Sequence, residues 1–270
     1  MKDHEIKQIV RKSYAKAAKR TSCCGPQPAK ESACCGDNKS KDIGYNVQEL
    51  GSVPEGSDLG LGCGNPVAIA SLKAGETVLD LGAGAGFDCF LAAKKVGQNG
   101  KVIGVDMTPE MIDKARENAQ KGDYDNVEFR LGEIEHLPVA DNTVDAAISN
   151  CVINLAPNKY DVMKEVYRVL KPGGRVAISD LALRGELPEK IRDNMAAYVS
   201  CVAGAIHIDE YKKAVQSAGF KDIKFTVNQA ASCGEPSEEQ ESAAKALKLT
   251  ADEYKSLSEV VVSVYIEARK

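Results

Sequence analysis

From Glu76 onward, short runs rich in Val, Ile and Leu alternate with helical stretches, and this alternation constrains the fold of the chain more than any other feature. Thr77 to Leu81, Lys101 to Val105, Val127 to Leu131, Asp145 to Ser149 and Arg175 to Ser179 are expected as strands. Phe87 to Val96, Pro109 to Lys121 and Lys159 to Leu170 are expected as helices. Thr108 reads as an N-cap with Pro109 in the first turn behind it, and Lys171-Pro172-Gly173-Gly174 stops the third helix. Such alternation predicts an α/β, doubly wound, mostly parallel sheet with helices on both faces. Ligands of these sheets lie outside the carboxyl ends of the strands, where strand order reverses. The positions following Asp80, Asp106, Leu131, Ser149 and Ser179 are therefore where chemistry is expected.

The flanks differ from this centre. Ile6, Val10, Tyr14 and Ala17 or Ala18 recur at helical spacing among Lys and Arg, which predicts a short amphipathic lead helix over residues 5 to 20. Residues 21 to 44 carry Gly25, Pro26, Pro28 and Gly36 and read as a linker, with Cys23-Cys24 and Cys34-Cys35 each followed by Gly. We divide the chain into 1–44 (helix and Cys-rich linker), 45–180 (nucleoside-binding domain) and 181–270 (C-terminal region). Helices near Pro188 to Val199 and Glu210 to Ala218, a strand near Ile223 to Val227 and an acidic helical tail are expected in the last part. The β-branched run Val260 to Ile266 is expected to return as a late strand at the sheet edge.

Composition removes several function classes. With 270 residues, 27% charged and 43% hydrophobic, the chain can bury a full α/β core and is not of disordered composition. A net charge of −4 lacks the basic footprint that nucleic acid binding needs. No apolar run is as long as a bilayer span, and the first residues lack the apolar core of a secretory signal, so a cytoplasmic location is expected. In a reducing compartment the nine cysteines should be thiols, metalloid ligands or redox pairs rather than structural bridges.

The first strand runs into Gly82-Ala83-Gly84-Ala85-Gly86-Phe87 and then a helix. The dinucleotide fingerprint needs its third glycine one residue later, to open the helix against a pyrophosphate. A nucleoside with an amino-acid end fits better, and S-adenosylmethionine is such a ligand. Gly82, Gly84 and Gly86 would let the backbone approach it, with Asp80 near its ammonium group. Asp106, at the end of the second strand, can take both ribose hydroxyls, with Met107 beside it. The turn Gly132-Glu133-Ile134 offers adenine a polar edge and an apolar face. Asn150, ending the fourth strand, completes the expected cofactor set.

Three cysteines have settings unlike a packed thiol. Cys63 lies between glycines in Leu61-Gly62-Cys63-Gly64-Asn65-Pro66, Cys151 follows the fourth strand, and Cys201 sits in Ser200-Cys201-Val202-Ala203-Gly204. None has the close pairing of a structural zinc site, and three separate thiolates suit a soft, three-coordinate thiophile. Cys89, among Phe87, Phe90 and Leu91, reads as helix packing.

Leu59 to Pro66, Leu79 to Asp88 and Ser149-Asn150-Cys151-Val152-Ile153-Asn154-Leu155 resemble the arsenite methyltransferases, with similarity running from about Tyr45 to Val227. The resemblance implies a class I, Rossmann-like methyltransferase with a Cys-rich N-terminal extension and a C-terminal tail. It implies trivalent arsenic as substrate, bound by Cys63, Cys151 and Cys201, and S-adenosylmethionine as methyl donor. A further family cysteine near the amino terminus falls among Cys23, Cys24, Cys34 and Cys35, with Cys24 and Cys35 as the candidate additional arsenic ligands. A glutathione-like thiol or thioredoxin is the reductant such an enzyme would use. The alternatives carried forward are a methyltransferase for a small organic metabolite and a thiol-rich metalloid-binding protein without turnover. Oligomeric state is left open.

Overall fold

The computed structural model describes residues 3–19, 39–187, 191, 198, 201–228, 250, 257 and 259–270. Its strands are β1 (Thr77–Leu81), β2 (Lys101–Asp106), β3 (Val127–Leu131), β4 (Val144–Asn150), β5 (Leu170–Leu183), β6 (Lys221–Asn228) and β7 (Val261–Arg269). They form one sheet in the order β3-β2-β1-β4-β5-β7-β6. β1 pairs in parallel with both β2 and β4, while β7 alone runs antiparallel to its neighbours. The order reverses between β1 and β4, where Leu81 pairs with Ser149, so the crevice expected of a doubly wound sheet opens at their carboxyl ends.

The helices are α1 (Asp3–Ala18), α2 (Lys39–Asp42), α3 (Val47–Leu50), α4 (Pro66–Ile69), α5 (Phe87–Val96), α6 (Pro109–Lys121), α7 (Lys159–Val169) and α8 (Ile208–Ser217). α6 shows why the periodicity was readable: Met111, Ile112, Ala115 and Asn118 form its one buried stripe. Thr108 does cap it, yet without a side-chain hydrogen bond to the helix. Its backbone N–H instead donates to Asp106 Oδ1 at 2.8 Å. β1, buried from Val78 onward, sends Val78 to one face of the sheet and Leu79 and Leu81 to the other, so each face has its own core. Burying each such side chain contributes about 1.5–3 kcal/mol.

Three expectations change. β7 is not at the edge but between β5 and β6, because Val262, Val264, Ile266 and Ala268 are buried together with Ser263, and an interior strand needs cover on both faces. Residues 39–44, expected as the end of the linker, form α2 and a turn, with Ser40 buried and Ile43 packed on the α5 core. The fold therefore starts before residue 45. The segment 181–270 does not stand apart either, since β6 and β7 complete the sheet begun by residues 77–183. The helix expected at 188–199, the acidic tail helix and the linker at 21–38 lie outside the described residues.

Candidate active site

The crevice between the ends of β1, β2 and β4 spans about 1060 Å³ when the solvent space at its open mouth is counted. Its place outside the strand ends is where ligands of such sheets lie. Its floor is the glycine turn. Gly82 and Gly84 have φ of +68° and +52°, conformations that favour glycine, and a Cβ on Gly82 would run into Val152 whereas one on Gly84 would meet nothing within 4 Å. The turn therefore presents bare backbone to open space. Gly86, also expected at the cofactor, faces elsewhere: a Cβ there would strike Phe90 and Phe129, so its role is close packing of α5 on the sheet.

Asp106 accepts from the Gly84 N–H at 3.0 Å and the Thr108 N–H at 2.8 Å, which fixes its carboxylate at the crevice wall beside Met107. Burial still pushes its pKa up against these two bonds. Asp80 lies under the turn and is 2% exposed. Burial and the nearby Asp88 push its pKa well up, although the Cys89 thiol donates to it at 3.1 Å. Cys89, expected only to pack, thus has a polar partner. Burial likewise raises Asp88 to about 6 against hydrogen bonds from Tyr45 and Asn150. With Asp58 and Glu135 added, carboxylates dominate the crevice, and Lys7 is the lysine that borders it. Such a field suits a ligand carrying an ammonium and a sulfonium.

Glu133 departs from its expected part. Its carboxylate accepts from Lys7 at 2.7 Å and Arg11 at 3.4 Å, both on α1, and the crevice wall is formed by Gly132, Ile134 and Glu135 instead. Those ion pairs seat α1 across the opening, with Val10 fully buried and Tyr14 on the crevice wall. The amphipathic pattern of α1 was legible in sequence, but the surface it covers was not.

Cys63, Cys151 and Cys201 are separated by 88 and 50 positions in sequence, and the fold brings them together beside the crevice. A sulfur of Cys63, a sulfur of Cys151 and a carboxylate oxygen of Asp180 lie within 4.8 Å of one another. The Cys201 thiol lies 2.8 Å from the Cys151 carbonyl. The Cys63 thiol donates to the Ser179 carbonyl at 3.7 Å, and Tyr14 packs in the same cluster as the three cysteines. Burial pushes Cys63 above an ordinary thiol. For Cys151, the neighbouring Cys201 favours the thiolate, but the neighbouring Cys63 and burial outweigh that and push its pKa well up. The neighbouring Cys151, then burial, raises Cys201.

Asp180 was not singled out in the sequence, although it follows Ser179 at one of the strand ends marked above. It is fully buried, accepts from Asn154 Nδ2, the Leu181 N–H and Tyr211 Oη, and burial lifts its pKa to about 7. Tyr45, Asp88 and Tyr14 are further residues of the site with no functional role legible in the sequence, although Tyr14 lay on the apolar stripe of the lead helix and Asp88 closed the glycine-turn motif. Cys24 and Cys35 lie outside the described residues.

Comparison with known proteins agrees with this architecture. A family of proteins described as "Methyltransferase domain" matches residues 72–219. The structure is also similar to a phosphoethanolamine N-methyltransferase of Haemonchus contortus in complex with S-adenosyl-L-methionine, at TM-score 0.61 and 22% identity over 77% of this chain and 53% of that one, a likeness of fold alone. The chain is a class I S-adenosylmethionine-dependent methyltransferase. It is 48% identical to the arsenite methyltransferase of Halobacterium salinarum over 98% of this chain and 67% of that protein. It is 33% identical to the human arsenite methyltransferase over 82% of this chain and 59% of that one. Among solved structures, an arsenic(III) S-adenosylmethionine methyltransferase from Chlamydomonas reinhardtii aligns at TM-score 0.59 and 31% identity, covering 86% of this chain and 72% of that one. The chain therefore belongs to the arsenite methyltransferase family, and it spans about two thirds or less of the length of these two curated relatives.

Proposed function

We propose that this chain transfers the methyl group of S-adenosylmethionine to trivalent arsenic held by the thiolates of Cys63, Cys151 and Cys201. The observation that carries the reading is the clustering of these three cysteines, distant in sequence, beside the cofactor crevice, with the sulfurs of Cys63 and Cys151 within 4.8 Å of each other and Cys201 packed against Cys151. Three soft donors are the ligand set a three-coordinate thiophile prefers. The cofactor supplies an electrophilic sulfonium methyl, which the arsenic lone pair takes in line, leaving S-adenosylhomocysteine and a methylated arsenical.

The protein's part is binding and aim. Gly82 and Gly84 would admit the cofactor to the turn, Asp106 would hold its ribose, and Asp80 and Asp88 would face its cationic groups. Arsenic carries its own lone pair, so no proton leaves the nucleophile during methyl transfer and the rate rests on proximity and orientation. Proton loss belongs to loading, when each thiol exchanges onto arsenic as its thiolate. The vicinal pairs Cys23-Cys24 and Cys34-Cys35 would capture the metalloid and pass it on by ligand exchange. A glutathione-like thiol or thioredoxin would keep the cysteines reduced, in a cytoplasmic setting. No helix among the described residues is long and apolar enough to cross a membrane.

The test is incubation with arsenite, isotopically labelled cofactor and a thiol, followed by speciation of the arsenic. Labelled methylarsenicals are expected. Cofactor turnover on a small metabolite, with none on arsenite, would overturn the reading.

A further inference from the structure

The geometry points to Asn150 as the residue that positions the Cys63 thiol against Cys151, and not as a residue that binds the cofactor. Asn150 borders the cofactor crevice, yet its side-chain amide is used almost entirely within the protein. Oδ1 accepts the Cys63 backbone N–H at 3.0 Å, and Nδ2 donates to the Gly64 carbonyl at 2.8 Å. One face of the amide thus clasps the Cys63 N–H and the carbonyl of the residue after it. The remaining Nδ2 hydrogen points to Tyr45 Oη at 2.9 Å and Asp88 Oδ2 at 3.1 Å. Tyr45 in turn donates its own proton to Asp88 Oδ1 at 2.6 Å, so its oxygen is free to accept. An amide has two N–H bonds and these contacts consume both.

The consequence follows from chain order. Residue 151 is covalently next to the clasp, and its N–H donates to the Ser179 carbonyl at 2.8 Å, which fixes it to β5. Asn150 therefore ties the loop bearing one thiol to the strand end bearing the other. Loop and amide are fitted closely: a Cβ on Gly62 would stand 2.6 Å from Asn150 Nδ2. A second support comes from Ser263 on β7, whose hydroxyl donates to the Cys63 carbonyl at 3.4 Å. The anchor of the clasp, the Tyr45–Asp88 pair, is part of the cofactor crevice wall, so the thiol pair is built on the crevice itself.

This inference rests on the reading of Cys63 and Cys151 as arsenic ligands, but its test need not. Asn150→Ser removes the clasp directly, and Gly62→Ala pushes the amide away from the loop side while leaving Asn150 in place. For each variant, we would measure S-adenosylhomocysteine affinity by calorimetry, arsenite affinity by thiolate–arsenic ultraviolet absorption, and the iodoacetamide alkylation rate of each cysteine by mass spectrometry. The expected result is cofactor-product affinity within about threefold of the parent, arsenite affinity at least about tenfold weaker, and alkylation of Cys63 several-fold faster with Cys89 unchanged. Two results would overturn the assignment: parental Cys63 alkylation in both variants, or a loss of cofactor-product affinity as large as the loss for arsenite. A parent that binds no arsenite at these thiols would defeat the functional reading alone, and the clasp would then be judged on Cys63 alkylation.

Discussion

The Cys201 thiol donates to the Cys151 carbonyl at 2.8 Å, and both residues hold left-handed backbone, with φ of +65° and +56°. Non-glycine residues seldom take that conformation, which costs on the order of 1–3 kcal/mol each, so the surrounding structure must impose it. Here Cys151 N–H is fixed by the Ser179 carbonyl and Cys201 N–H by that of Tyr198. The strained backbones hold the two cysteines in one packed cluster, with Tyr14 from α1 against it.

This arrangement predicts that Cys151→Ser and Cys201→Ser each reduce methylation of any trivalent arsenical by on the order of a hundredfold or more. Serine keeps the size but offers a hard oxygen, so the metalloid loses a ligand and its lone pair loses its aim. Cofactor affinity should stay within about threefold. Single-turnover methyl transfer at saturating cofactor is the measurement. Cys63→Ser should stop arsenite and spare more of the activity on a monomethylated arsenical, which has two positions left for thiolates.

Cofactor binding should depend on pH through Asp88. Its pKa in the fold, raised by burial from 3.8 to about 6, means the carboxylate is ionised above that value and protonated below it. A cationic ligand favours the ionised form, so affinity should be full near pH 7.5 and weaken as pH falls through 6, by up to about tenfold for each unit below. Calorimetric titrations from pH 5 to 8 would show it. Asp88→Asn should bind weakly throughout and lose this part of the pH dependence.

Cys89 and Asp80 allow a sharper test than deletion of a packed thiol. Serine in place of Cys89 can still donate to Asp80, whereas alanine cannot. Cys89→Ala should weaken cofactor binding by about 0.5–1.5 kcal/mol more than Cys89→Ser, the scale of one lost hydrogen bond. Equal affinities for the two variants would return Cys89 to simple packing.

The seating of α1 predicts that Val10→Asp, which puts an unpaired charge at a fully buried position, releases the helix from the crevice. Tyr14 then leaves Cys201, and arsenic methylation should fall at least about tenfold with little loss of global stability, since α1 lies outside the sheet. Hydrogen exchange confined to residues 3–19 would report the release. An unchanged methylation rate would show that α1 is a bystander.

Asp106→Ala should weaken the cofactor by roughly 1.5–3 kcal/mol. Part of that loss comes from the Gly84 and Thr108 N–H groups it now satisfies, so Asp106→Asn, which keeps an acceptor, should lose less. Titration of both variants separates the shape of the turn from direct ribose binding.

Periodicity determined the sheet and its helices: β1, β3, α5 and α6 begin and end where their apolar patterns do, because each buries one face or both against the layer beside it. The glycine turn and the strand-end carboxylates were legible for the same local reason, since a turn of bare backbone after a buried strand needs only neighbouring residues. Cys63, Cys151 and Cys201 were legible as three unusual settings and, through the family resemblance, as one expected arsenic site. Tertiary structure decided that Glu133 would be held by α1, that β7 would enter the sheet between β5 and β6, and that Asp180 and Asn150 would stand beside the thiols. Those contacts join residues from 29 to 126 positions apart, and no local pattern records them because their energy comes from surfaces that meet only after the chain has closed.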